Sequence, residues 1–565
     1  MSRFHLPDSV RETHGAKAPL LGIAGGVILI VSGLLSWCYD NRVLGNIAPR
    51  FFPAGVQLYA MALGILAVIL AVLLRKRPAW MSPGKGLRIL GIGSVVFVLA
   101  SLVAIAALTS GLVNANEGVW VALVGALLVA AAGFVTPEVD LNVHKWPRLN
   151  SSLEILIIVV MMAVLLFVVA YALNLNDGAV FAIFLVTVIS LAAGLLGAGV
   201  GGYLGFVGSN NRHPLTLAAF VVAFLFPFTQ GGSDANMSIA TQILIFAATA
   251  LGLNIVVGLA GLLDLGYIAF LGTGAYVGAM MSQSAFATIG WKPPFLVVML
   301  IGAAVAACFG LVIGSPTLRV SGDYLAIVTL GFGEIFRLAM FNLDGNNGPE
   351  LTNGPNGIPG IPDLNFFGFD FGAKHTIAGI ELGRFSNYYF LLLVLIAFVI
   401  LVFSRLNNSR IGRGWIAIRE DERAAEAMGV NVFALKLLAF AVGASLAGLA
   451  GTIKAHHDTS VTPDQYIFLE SAFLLAAVVL GGMGTVVGVL VGAAILKLLP
   501  EKLREVNDFR LLLFGLLLVL MMRFRPEGLV PNKRNQLAFH EDDEELVQLA
   551  QAEHLEEVEA LEESK

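Results

Sequence analysis

Long apolar runs return at short intervals along almost the whole chain, and few charges interrupt them. Sixteen can be read, over 20–36, 54–74, 89–109, 119–135, 153–173, 179–200, 214–228, 237–257, 262–283, 295–313, 324–341, 388–404, 432–453, 469–482, 484–499 and 509–522. A helix of about 20 residues crosses the hydrocarbon of a bilayer. Most of the runs approach that length. The shorter ones are expected to be broken or re-entrant, so sixteen is a ceiling on the number of spans. The runs are continuous rather than alternating, which excludes a closed β-barrel. Of the 565 residues, 57% are hydrophobic and 13% charged, about half the charged share of a soluble protein. Such a chain cannot wet its whole surface, so a soluble enzyme is excluded. The expected fold is an all-α polytopic membrane protein with lipid as much of its solvent.

Charge is unevenly placed. The formal net charge of −5 conceals a segment from Glu541 onward that holds eleven acids and a single base, Lys565. Without it the membrane body is slightly positive, far short of what nucleic-acid binding requires. Cys38 and Cys308 are the two cysteines, too few for a disulfide framework or a cysteine metal site. At the N-terminus, Arg3, Arg11 and Lys17 precede the apolar run Pro19–Trp37 in the manner of a signal peptide. No small-x-small cleavage site follows, so this run reads as a retained first membrane helix.

Loop charges set the orientation. The N-terminus and the loops 75–88, 136–152 and 201–213 carry eleven Lys and Arg, whereas the intervening loops carry Arg42 and Arg50. Positive loops stay inside, so the N-terminus is expected in the cytoplasm. By the same parity the loop 405–431 is inside, with Arg405, Arg410, Arg413, Arg419 and Arg423. The loop 342–387 falls outside. It is rich in turn formers such as Asn346-Asn347-Gly348-Pro349 and Gly354-Pro355-Asn356-Gly357, and reads either as a solvated connector or as a docking surface for an external partner. The acidic tail, expected inside, carries no assigned role.

Signs of enzymatic chemistry are missing. No Gly-x-x-x-x-Gly-Lys-Ser/Thr loop occurs, and Ser82-Pro83-Gly84-Lys85 is only a basic turn, so the chain lacks that means of hydrolysing ATP. His456-His457 is the one histidine pair. Neighbours on a helix point about 100° apart and make a poor pair of metal ligands. No cofactor is expected on this chain.

Two stretches invite a broken helix. Residues 251–278 contain seven glycines, with Asn254 and Asp264 among apolar neighbours; Val479-Leu-Gly-Gly-Met-Gly-Thr-Val-Val-Gly488 is the second, with Glu470 about two turns before it. Glycine permits close helix approach and helix interruption in a membrane. A carboxylate at that depth needs a partner or a wet cavity. Tight packing alone, with Asp264 at the cytoplasmic interface, is the plainer alternative. A third pattern lies in the cytoplasmic loop. Residues 415–428 favour a helix, with Gly429 placed to end it. Ala417, Ala424, Ala425 and Met428 form a small face, while Arg419, Glu422, Arg423 and Glu426 form a charged one. That helix suits a groove on a soluble partner.

Arg419-Glu-Asp-Glu-Arg-Ala-Ala-Glu-Ala-Met-Gly429, with Lys436-Leu-Leu-Ala-Phe440, resembles the LivM-type permeases of branched-chain amino acid ABC importers. So do Gly258-Leu-Ala-Gly-Leu-Leu-Asp-Leu-Gly-Tyr267, Ser321-Gly-Asp-Tyr-Leu325, Leu330-Gly-Phe-Gly-Glu334, Glu470-Ser471, Val479-Leu-Gly-Gly-Met-Gly484 and Arg525-Pro-Glu-Gly-Leu529. The resemblance covers 237–531. It implies the ABC importer permease fold with Gly-broken helices, preceded by an extra N-terminal membrane segment over 1–236 and followed by the acidic tail 532–565. It implies a non-enzymatic transport subunit, with a second permease, two cytoplasmic ATPases that use the ATP, and an external solute-binding protein. Leucine, isoleucine and valine are the implied solutes, with urea, amides and other amino acids as alternatives in the same class, and the inner membrane is the implied location. Arg419, Glu420, Asp421, Glu422, Arg423, Ala424, Ala425 and Gly429 correspond to the ATPase-coupling loop, whose usual Glu-Ala-Ala-x-x-x-Gly pattern has Arg423 in place of Glu. Asn254, Gly258, Gly261, Asp264, Gly266, Tyr267, Glu334 and Glu470 are the candidates for the solute path. The rival class is an ion-coupled secondary transporter using Asp264, Glu334 and Glu470, which leaves the cytoplasmic helix without a task.

Overall fold

The computed structural model describes residues 17–530 except 40–54, 77–79, 109–110, 137–145, 318–323, 503–514 and 524–526 and the positions 148, 176, 347, 367, 378, 517 and 522. Arg3, Arg11, Arg42 and Arg50, the motif residues 321–323, 525 and 526, and the acidic tail lie outside the described residues. Among those described, eleven helices are long and apolar enough to cross a membrane, or twelve if the bent pair Val200–Asn210 and His213–Thr229 is one span. Four of the sixteen runs are not among these spans. Run 20–36 forms only the short helix Ala18–Ser32, and 262–283 forms the short helix Ile268–Met280 after an irregular start. Run 484–499 forms Val486–Lys502, and 509–522 lies mostly outside the described residues.

The chain divides into two units, the first built from Met1–Gly231 and the second chiefly from Gly232–Glu501. In the first, helices α1 (Ala18–Ser32), α2 (Val56–Lys76), α3 (Pro83–Leu108), α4 (Glu117–Val135), α5 (Ser151–Asn174), α6 (Gly178–Gly197), α7 (Val200–Asn210) and α8 (Arg212–Thr229) follow one another. Small residues bring them together. A Cβ at Gly25 would lie 2.8 Å from the Gly125 carbonyl oxygen, and one at Gly26 2.8 Å from that of Gly64. In lipid, where apolar burial gives no net drive, such close van der Waals packing holds helices together. Trp37 and Cys38 after α1 are fully buried, and the Trp37 indole donates to the Ser32 carbonyl at 2.8 Å. Large apolar side chains such as Val103 and Phe167 face outward, as hydrocarbon contact requires.

The second unit begins with α9 (Asp234–Asn254), capped by the Ser233 hydroxyl. A single π-helical turn, Ile255–Leu259, follows, then irregular chain to α10 (Ile268–Met280). Helices α11 (Phe295–Thr317) and α12 (Tyr324–Asn342) lead to the 342–387 loop. That loop carries three short antiparallel pairings: β1 (Ile358–Pro359) with β6 (Ser460–Val461), β2 (Asn365–Phe366) with β3 (Phe369–Asp370), and β4 (His375–Ile377) with β5 (Ile380–Leu382). Then come α13 (Arg384–Asn407), α14 (Arg410–Glu420), α15 (Glu422–Ala427), α16 (Val432–Asp458), α17 (Phe468–Gly481) and α18 (Val486–Lys502). The core centres on α16. Gly274 of α10 meets the Gly448 backbone so closely that a Cβ there would strike the Gly448 carbonyl, and a Cβ at Gly448 would sit 2.7 Å from the Gly302 carbonyl oxygen of α11.

Candidate functional site

The chain between α9 and α10 is irregular, so its backbone groups lack helical partners, and in a membrane each such group must find one. The Leu265 N–H donates to Thr329 Oγ1 at 3.0 Å, the Gly266 N–H to Asp264 Oδ1 at 2.9 Å, and the Ile268 N–H to Ser471 Oγ at 3.0 Å. The Tyr267 hydroxyl donates to the Gly443 carbonyl at 2.6 Å. Asp264 is buried, and its Oδ2 has no hydrogen-bond partner among the described residues. Gly266 packs so tightly that any Cβ would strike the Thr329 carbonyl oxygen. Gly261 has φ +72°, the left-handed backbone that glycine adopts without strain.

The second glycine-rich stretch separates α17 from α18, and it meets the first. The fully buried Asn254 accepts from the Gly484 N–H through Oδ1 at 2.8 Å and donates to the Thr485 carbonyl through Nδ2 at 3.2 Å. Chain from the Arg525–Leu529 motif closes the same place: the Leu529 and Val530 N–H groups donate to the Leu480 and Gly481 carbonyls, each at 2.9 Å. The separate sequence motifs thus converge on one pair of helix interruptions. Asn254 joins the two stretches, a link that their sequences did not reveal.

The segment 405–431 forms two short helices rather than the single helix expected over 415–428. Asp421 breaks it, with φ −152° and ψ 109°, and its Oδ1 accepts from the Arg423 and Ala424 N–H groups at 2.9 and 3.0 Å. This is an N-cap, and aspartate at that position starts a new helix more favourably than it continues the old one. The buried Trp415 indole donates to the Leu435 carbonyl at 2.7 Å, and Lys436 pairs with Glu422 at 2.6 Å. Both contacts fix the helices to α16. Glu420, Asp421, Glu422, Arg423, Ala424 and Gly429 are exposed and Ala425 is buried; Met428 is 85% exposed. Arg419 turns the other way. Its Nη1 donates to the Gly258 carbonyl at 2.7 Å, and its stem lies against Gly261.

Glu334 on α12 pairs with Arg337 at 2.6 Å, and Arg337 also reaches Asp464 at 3.2 Å. Glu470 accepts from Lys497 at 3.1 Å. A cavity of about 280 Å³ opens beside Glu470, lined also by Phe246, Ile268, Leu271, Lys454 and Lys497. Of the sequence-derived path candidates, Glu470 alone lines it. Asn254, Asp264 and Tyr267 instead lie inside the packing of the breaks. Lys454 and Lys497 were not singled out from sequence, although a lysine inside the apolar run 484–499 is a signal in itself. His457 bonds Thr241 and Asp458, and His456 bonds the Pro362 carbonyl. Among the described residues no cluster of His, Cys, Asp or Glu is arranged to hold a metal ion.

Many membrane helices, paired helix interruptions and a pair of short helices with an exposed face define a multi-pass membrane permease. The chain matches the family described as branched-chain amino acid transport system, permease component, over residues 236–522, and it belongs to that family. It is 41% identical over 345 residues to the high-affinity branched-chain amino acid transport system permease protein LivM of Salmonella typhimurium, covering 58% of this chain and 78% of the relative. The LivM of Escherichia coli gives the same identity and coverage. The permease protein LivH of Salmonella typhimurium is 26% identical over 287 residues, covering 48% of this chain and 89% of the relative. No solved structure matches the chain.

Proposed function

We propose that this chain is the permease subunit of an ATP-driven importer of branched-chain amino acids, leucine, isoleucine and valine. Family membership supports the transport class, and one contact carries the mechanism: Arg419 bonded to the Gly258 carbonyl. It ties α14 and the exposed helix α15 to the first helix interruption, and Asn254 ties that interruption to the second. Cytoplasmic ATPases grip the exposed face formed by Arg423, Ala424, Glu426 and Met428. ATP binding and hydrolysis in those partners shift α14. Arg419 passes the shift to Gly258 and Gly261, and the two breaks move together to open the path on one side or the other. An alternating-access device of this kind needs interruptions that deform without exposing unbonded backbone to lipid.

The remaining assembly is a second permease, two ATPases and an external solute-binding protein that docks on the 342–387 loop. The N-terminus, the 405–431 loop and the C-terminal tail face the cytoplasm of a bacterial cell, with the body in its inner membrane. The ion-coupled alternative has less support, because two of its three carboxylates, Glu334 and Glu470, are each engaged by a cation.

Co-expression with the candidate ATPases, second permease and binding protein, followed by uptake in proteoliposomes, tests this reading. ATP-driven accumulation of labelled leucine, competed by isoleucine and valine, is expected. Competition by urea or amides instead reassigns the solute. Accumulation driven by an ion gradient without ATP refutes the importer.

A further inference from the structure

The cavity beside Glu470 has a divided wall. Ile245, Phe246, Ile268 and Leu271 form an apolar side, and Lys454, Asp458, Glu470 and Lys497 form a charged one. Its volume of about 280 Å³ stands near the lower end of the roughly 300–1,000 Å³ typical of small-molecule sites, the size class of one small solute. The two ammonium and two carboxylate groups cancel in charge. They are paired: Lys497 with Glu470 at 3.1 Å, and Lys454 with Asp458. The Lys497 ammonium also lies 4.6 Å from the Phe246 ring centroid. Charged pairs within a membrane unit are costly and mark functional positions, and well-packed apolar residues would hold the helices together as well. The side chains of Lys497 and Glu470 remain 27% and 32% exposed, so both are open to a solute.

We propose that this cavity binds a neutral, zwitterionic amino acid with a branched aliphatic side chain. The solute carboxylate meets Lys497, its ammonium meets Glu470, and its side chain rests on Phe246, Ile268 and Leu271. The proposal rests on the transport reading above and adds to it where and how the solute is recognised. A zwitterion enters a site of balanced charge and leaves it balanced. A lysine or glutamate solute brings an extra charge with no partner, and burying an unpaired charge is penalised heavily. Position fits as well. Lys454 lies 22 residues beyond Val432 on α16, about 33 Å along the helix from the end attached to α14 and α15. Solute binding and ATPase coupling thus occupy opposite ends of that helix. Ile268 is the first residue after the interruption, and its N–H is held by Ser471, next to Glu470 in sequence. Movement of the interrupted segment therefore shifts the apolar wall against the Glu470–Lys497 pair and releases the solute.

The test uses the assembled importer in membrane vesicles, carrying Cys308→Ser and Gln242→Cys. Gln242 lines the cavity and is exposed, while the native Cys38 is buried. Maleimide labelling at position 242 is followed with leucine, lysine or glutamate present, beside ATP-driven leucine uptake. Leucine at twice its dissociation constant is expected to slow labelling about threefold, because only the empty fraction reacts. Lysine and glutamate at the same concentration are expected to leave the rate unchanged. Lys497→Gln and Glu470→Gln are expected to remove the leucine protection without changing the unprotected rate. Normal uptake without protection, or with equal protection in both variants, overturns the proposal and leaves the transport reading standing. Failure of the unsubstituted importer to take up leucine overturns that reading and the proposal with it.

Discussion

At the scale of single residues, Asn254 makes the connection that matters most in the core. Its carboxamide satisfies a donor and an acceptor within the second interruption. Asn254→Ala leaves the buried Gly484 N–H unbonded, at a cost of about 1–3 kcal/mol. A lowered thermal midpoint of the purified protein, with lost leucine uptake, is the expected result. Gly266 is expected to behave differently from what the sequence suggests. If a solute path needs close backbone approach there, Gly266→Leu should block transport more than it lowers expression. The structure instead sets Gly266 against the Thr329 carbonyl, so a leucine side chain must push α12 away, at a cost of about 1–3 kcal/mol or more. Folded yield should fall together with uptake. Gly331→Leu on α12, which meets open space, should leave yield unchanged, and size-exclusion chromatography of the two variants side by side measures this.

At the scale of elements, sequence and structure agree where a signal is continuous and part where it is local. Apolar runs near full membrane length became helices because hydrocarbon demands internally bonded backbone. The interruption after α9 was legible because glycines crowd 251–278. Its bonding was not legible, because Thr329, Ser471 and Gly443 come from distant elements. The helix expected over 415–428 ignored the capping strength of Asp421, a side-chain effect that propensity sums do not weigh. Arg419 shares a charged helix face with Arg423 in the sequence, yet the fold turns it inward onto Gly258. The two arginines therefore separate by experiment. Arg423→Glu, together with Met428→Asp, alters only exposed positions and should cost within about 0.5 kcal/mol of stability. Co-purification with the ATPases should nevertheless be lost. Retained co-purification would move the docking face elsewhere.

At the scale of the whole molecule, orientation and coupling belong to one account. Loop charges predict the N-terminus, the 405–431 loop and the C-terminal tail in the cytoplasm and the 342–387 loop outside. Single cysteines at residue 410 and residue 370, labelled with a membrane-impermeant maleimide, should react from the cytoplasmic and external faces respectively. Labelling of residue 410 from outside would reverse the topology. The central claim is that ATPase movement reaches the helix interruptions through the bond from Arg419 to Gly258. Its most direct measurement is ATP hydrolysis and leucine uptake in parallel, by the reconstituted importer carrying Arg419→Ala. The account predicts that the ATPases still bind and hydrolyse ATP while uptake falls by about tenfold or more, the equivalent of about 1.4 kcal/mol of lost coupling. Uptake at the unsubstituted rate, with hydrolysis equally intact, would contradict it.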